Sequence, residues 1–140
     1  MEELLERFIR YVKVNTMSSE DGTTTPSTME QFDLAMMLKD ELIELGLEDA
    51  NVDEHAIVTA SLKSNCGSDL SIGFIAHLDT IPGFSGKNVK PQVIRNYDGN
   101  RVDLKGISLD PAEFPFLSDL KDKTLITTDG TTVLDRKSVV

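Results

Sequence analysis

His77 and Asp79 stand two residues apart where the apolar run Ser71-Ile72-Gly73-Phe74-Ile75-Ala76 ends. On an extended strand side chains alternate between faces, so both would point the same way. An imidazole beside a carboxylate is a common beginning of a metal site. One ring nitrogen binds the ion, and the N–H of the other is held by the acid. The H-x-D spacing is also short and common by chance. From spacing alone, an ordinary strand-end hydrogen bond is the better reading. A catalytic zinc takes about three protein ligands plus water, and a two-metal site takes more. The sequence has two histidines, no H-E-x-x-H and no C-x-x-C, and nothing in the spacing brings His55 to His77. On its own residues the chain shows no complete metal site.

The other reactive residue types read more plainly. His55, in Asp53-Glu54-His55, is expected in a turn as a solvated surface histidine. Cys66 lies in the polar turn Asn65-Cys66-Gly67-Ser68 without a nearby base to activate it, which argues against a nucleophile. Ser85-Gly86-Lys87-Asn88 lacks the spacing of a phosphate-binding loop and reads as a plain turn. Glu41, Glu44, Glu48 and Asp49 read as a solvated helix face. Asp129-Gly130 is a turn signal.

The elements that must position His77 and Asp79 follow from hydrophobic periodicity. Leu4, Leu5, Phe8, Ile9 and Val12 recur at helical spacing and predict an amphipathic helix over 2–13. Residues 15–25 read as a loop. Pro26-Ser27-Thr28-Met29-Glu30 has the form of a capped helix start, with Ser27 and Glu30 as a capping box. Phe32, Ala35, Leu38, Leu42 and Leu45 then form one apolar stripe, and Gly46 follows as a left-handed C-cap. Short strands are expected around 50–54, 57–62 and 70–76. The last is nearly continuous in apolar or small residues, the pattern of a strand buried on both faces of a parallel or mixed sheet. Two helices followed by such a strand predict an α/β layer architecture. Glycines and prolines break up 81–122, leaving short strands near 92–96 and 101–104. Leu125-Ile126-Thr127-Thr128-Asp129-Gly130 reads as a further strand and turn.

Composition bounds the partners. At 140 residues the chain is one domain or part of one. Its formal net charge of −10 repels phosphate backbones, which argues against nucleic acid. No apolar run reaches the roughly eighteen residues of a membrane span. The acidic, amphipathic N-terminus does not fit a signal peptide. Cys66, the single cysteine, has no internal disulfide partner, so a cytoplasmic location is expected.

Several stretches together resemble the N-terminal part of the peptidase T family, the tripeptide aminopeptidases. They are Leu4-Leu5-Glu6-Arg7-Phe8, Pro26-Ser27-Thr28, Ile72 through Thr80, Ser85-Gly86-Lys87-Asn88-Val89 with Pro91-Gln92, Asn96-Tyr97, Phe114-Pro115, and Thr124 through Gly130. H-x-D-T marks only the wider group of zinc exopeptidases. S-G-K-N-V and T-L-I-T-T-D-G are much more specific. The resemblance implies that His77 is a ligand of one zinc and that Asp79 is the catalytic carboxylate that orients and polarises it. It also implies two zinc ions in a complete member, a catalytic α/β domain with a mixed sheet and flanking helices, a lid domain later in the chain, and a homodimer. The implied reaction is release of the N-terminal residue of a tripeptide, with zinc activating a water, a glutamate as general base, and zinc stabilising the oxyanion. Another zinc exopeptidase or deacylase of the same fold is a second reading. A non-catalytic binding domain derived from that fold is a third.

The resemblance runs from about Met1 to Leu134. The family continues with G-A-D-D-K-A-G, whose aspartate bridges the metals, whereas this chain reads Asp135-Arg136-Lys137-Ser138-Val139-Val140. Ungapped alignment puts Lys137 on the ligand position, so the ligand is not carried over to Asp135. The last six residues can be encoded by a string that matches a common sequencing-adapter read. Residues 1–134 are therefore expected to be an incomplete catalytic domain and 135–140 a non-native tail. The chain by itself is expected to be inactive.

Overall fold

The computed structural model describes residues 2–132. The expectations for 133–140, the tail and Asp135 included, lie outside the described residues. Two compact units emerge, one from Thr16–Pro82 and one from Met1–Asn15 with Gly83–Val140.

In the Thr16–Pro82 unit the principal helix is α2 (Gln31–Glu44). It packs against the antiparallel pair β1 (Asn51–Val52) and β2 (Val58–Thr59), in register Asn51↔Thr59 and Val52↔Val58. Leu34, 1 % exposed, and Ala35 anchor that face. The buried face is rotated from the expected stripe: Leu34 lies in the core, and Leu45 is exposed. The expected capping box does not form. The helix starts after Glu30 without a side-chain cap. Ser27 Oγ accepts instead from the Ser19 N–H (3.0 Å), which fastens the preceding loop. The C-terminus follows the sequence. Gly46 (φ +91°) donates to Ile43 O, and the Leu47 N–H reaches back to Leu42 O. This is the paired closure of a Schellman motif.

The β1–β2 turn is tied by Asp53, whose carboxylate accepts the N–H groups of His55 (2.9 Å) and Ile57 (2.8 Å). The Ile57 N–H, the larger cause, holds the Asp53 carboxyl below its ordinary pKa.

Residues 70–76, expected as a strand buried on both faces, form no ladder and are exposed throughout. Phe74 is 94 % exposed. A doubly buried strand needs a neighbour on each edge and a layer over each face. Among the described residues of this unit, the only pairing next to the segment is the parallel bridge Met17↔Thr80. There the Thr80 N–H donates to Thr16 O (3.0 Å) and Thr80 O accepts from the Ser18 N–H (3.0 Å).

The second unit contains α1 (Glu2–Val12), close to its expected bounds. Its antiparallel ladders are β3 (Gln92–Ile94) with β6 (Leu125–Thr127), and β4 (Val102–Asp103) with β5 (Ser108–Leu109). A 3-10 helix spans Pro115–Leu120 and buries Leu117. Tyr97 is fully buried, and its hydroxyl donates to Asn100 O. Val93↔Ile126 and Ile94↔Leu125 are the apolar cross-strand pairs of the first ladder. An apolar cavity of about 420 Å³ is lined by Leu4, Leu5, Phe8, Thr124 and Ile126. Beside it Glu2 pairs with Arg95 at 2.6 Å.

Helix and strand are mixed, as the α/β expectation has it. No described helix is long and apolar enough to cross a membrane.

Candidate metal centre

The Thr80 bridge holds the end of the 70–79 segment and so fixes where His77 and Asp79 leave it. The two side chains meet, with His77 Nδ1 3.0 Å from Asp79 Oδ1. A carboxylate only accepts, so in this contact Nδ1 carries a proton, and in the neutral ring the lone pair is then on Nε2. That tautomer suits a ligand that binds through Nε2 while its back is held by an acid. Both side chains remain open to solvent, 53 % and 41 % exposed.

The candidate donor set is one imidazole with a carboxylate behind it. No group of three or more His, Cys, Asp or Glu able to hold a metal forms among the described residues. His77 and Asp79 therefore fit a fraction of a zinc shell and do not close one.

The remaining candidates go elsewhere. His55 lies on the β1–β2 turn with Nδ1 3.2 Å from Thr25 O and Nε2 3.7 Å from Glu54 Oε1. Cys66 is exposed. Its sulfur lies 3.6 Å from the Ser64 hydroxyl, which, with the Ser68 N–H, draws the thiol pKa down. Ser61, whose N–H donates to Asp49 at 2.9 Å, draws the Asp49 carboxyl below its ordinary pKa. The Lys87 N–H donates to Ser85 Oγ (3.2 Å), an ordinary turn.

Sequence reading missed Asp129. It is buried, and its Oδ1 accepts from the Thr131 hydroxyl (2.6 Å) and the Thr131 N–H (3.1 Å). Its Oδ2 lacks a well-aligned hydrogen bond, but the ammonium groups of Lys105 (3.4 Å) and Lys90 (3.9 Å) offset its charge. These contacts, the Thr131 hydroxyl first, hold the carboxyl below its ordinary pKa. Thr128 closes the same turn: its Oγ accepts the Gly130 N–H (3.0 Å) and donates to Thr132 O (3.2 Å). The signal was the full pattern Thr128-Asp129-Gly130-Thr131. In it a hydroxyl follows the acid by two residues, the reach of an Asx turn.

No protein-family model matches the chain. Its sequence is 51 % identical over 140 residues to "Peptidase T" of Alkaliphilus oremlandii, covering 96 % of this chain and 34 % of that protein. It is 51 % identical over 137 residues to "Peptidase T" of Geobacillus thermodenitrificans, covering 95 % of this chain and 33 % of the relative. With "Peptidase T" of Clostridium perfringens the identity is 49 % over 136 residues, 96 % of this chain and 34 % of the relative. The chain thus resembles peptidase T along nearly its whole length, and spans about a third of the length of these curated relatives.

Proposed function

We propose that this chain is the N-terminal part of a peptidase T-like metallo-aminopeptidase that acts on tripeptides. The observation that carries the reading is the His77–Asp79 contact, set on a chain about half identical to proteins of that name. His77 would offer Nε2 to one zinc. Asp79 would hold Nδ1–H, keep the ring in that tautomer and turn it toward the ion. When bound, a pair of zinc ions acidifies a water and polarises the scissile carbonyl. The further donors and the general base belong to the longer polypeptide. Residues 1–134 are the enzyme's share, and 135–140 are foreign to it. Cytoplasmic location, small-peptide substrates and a homodimer of the complete protein belong to the same reading.

The test joins residues 1–134 to the remaining two thirds of the Alkaliphilus oremlandii relative. The fused protein should release the N-terminal residue of a tripeptide when supplied with zinc, and the 140-residue chain alone should release none. His77→Ala should abolish the activity, and Asp79→Asn should weaken zinc binding about 10–100-fold. A fused protein without activity, or one indifferent to His77→Ala, overturns the reading.

A further inference from the structure

Two buried hydroxyls stand unpaired at the bridge that ends the site segment. Thr16 is 0 % exposed and Thr80 8 % exposed, and neither Oγ1 has a hydrogen-bond partner among the described residues. An unpaired buried hydroxyl is destabilising, and native folds usually supply it with a partner. The register tells the two apart. Met17 pairs with Thr80 in parallel. Paired residues of neighbouring strands point to one face, and alternation turns the residues on either side to the other. The Thr80 hydroxyl therefore shares its face with Met17. Thr16, one step before Met17, comes into register with Asp79, on the face that Asp79 and His77 share.

Neighbouring strands lie about 4.8 Å apart, a gap that a hydroxyl and a carboxylate span by turning about their own side-chain bonds. Asp79 spends Oδ1 on His77 Nδ1 at 3.0 Å, which leaves Oδ2 to accept. Ser18, on the same face as Thr16, already donates its hydroxyl to Thr80 O at 2.9 Å. Thr16 brings a donor that is not yet spent. We propose that Thr16 is a positioning residue: its buried hydroxyl donates to Asp79 Oδ2 and sets the carboxylate that in turn holds the His77 ring. The inference rests on the reading of His77 and Asp79 as a zinc ligand and its orienting acid. A hydrogen bond to an ionised carboxylate is shorter and stronger than a neutral one. It fixes the plane of the carboxylate and, through Nδ1–H, the direction in which Nε2 points. Thr16 touches neither metal nor substrate in this role. Its burial makes it a firmer anchor than Asp79, which is 41 % exposed.

The test has two readouts. In the 140-residue chain, Thr16→Val keeps the side-chain shape and removes the hydroxyl, and Asp79→Ala removes the acceptor. Chemical denaturation of the two single variants and the double variant should give a coupling of about fivefold in the unfolding constant. Thr80→Val, on the other face, should show no such coupling with Asp79→Ala. In the chain fused to the remainder of the Alkaliphilus oremlandii relative, Thr16→Val should weaken zinc binding about tenfold. Thr16→Ser, which keeps the donor, should restore it. Additive effects of Thr16→Val and Asp79→Ala overturn the hydrogen bond. Equal coupling at Thr80 overturns it as well, since the effect would then be general packing. Zinc affinity indifferent to Thr16→Val in an active fused protein overturns the positioning role. Coupling in the 140-residue chain with an inactive fused protein would sink the enzymatic reading and leave the Thr16–Asp79 bond standing.

Discussion

At the residue scale, two carboxylates do opposite work. Asp79 is half open and faces an imidazole, while Asp129 is buried and faces hydroxyl, amide and ammonium donors. Only the first was visible as chemistry in the sequence, because H-x-D places two reactive groups on one strand face. Asp129 was legible as a turn but not as a buried charge, since Lys90 and Lys105 approach it from distant segments. Its carboxyl is held below the ordinary value, so the folded state binds its proton less readily than the unfolded chain. The stability it contributes is present above the unfolded value, about 3.9, and is lost as pH falls through the lower folded value. Asp129→Asn should therefore lower the urea midpoint at pH 7, and the gap to the parent should narrow by pH 3. A gap of equal size at both pH values would show that the charge plays no part.

At the scale of elements, two glycines separate conformational cost from steric cost. Gly46 ends α2 at φ +91° and Gly130 closes the turn after β6 at φ +88°, but their surroundings differ. A Cβ on Gly46 would meet nothing within 4 Å, whereas one on Gly130 would lie 2.8 Å from Lys105 O. Gly46→Ala should cost about 1–2 kcal/mol, the price of a left-handed L-residue. Gly130→Ala should cost more, because a backbone oxygen must also move. Chemical denaturation of both variants checks the order, and equal losses would sink the steric argument. Leu34→Ala, which truncates the largest fully buried side chain of α2, should cost about 2–5 kcal/mol by the same measurement. Helix limits were readable from 3.6-residue periodicity, and the Gly46 stop was readable from its need for positive φ. The start of α2 was not. Ser27 has the type and spacing of a cap, but its hydroxyl is taken by Ser19, a tertiary choice that local pattern does not encode.

For the whole molecule, 70–76 is where sequence and structure part. The run of apolar residues predicts a strand inside a sheet, and the structure shows the segment exposed and outside any ladder. Burial is a property of neighbours, and the described residues do not supply them. The candidate metal site parts in the same way: His77 and Asp79 find each other because they are two residues apart, and no further ligating group joins them among the described residues. The exposed apolar segment also has a colloidal consequence. At pH 7 the charge of −10 keeps copies apart, and at the sequence pI of about 4.5 that repulsion vanishes. Apolar, β-prone edges then meet unopposed. Light scattering should rise steeply as pH approaches 4.5. Phe74→Lys with Ile75→Lys should suppress the rise, since both side chains are solvent-exposed and the change leaves the folded core untouched. Those lysines also move the pI upward, so the comparison is made with each protein at its own pI. Scattering that is undiminished in the double variant there would place the sticky surface elsewhere, and the apolar cavity beside α1 would be the next surface to test.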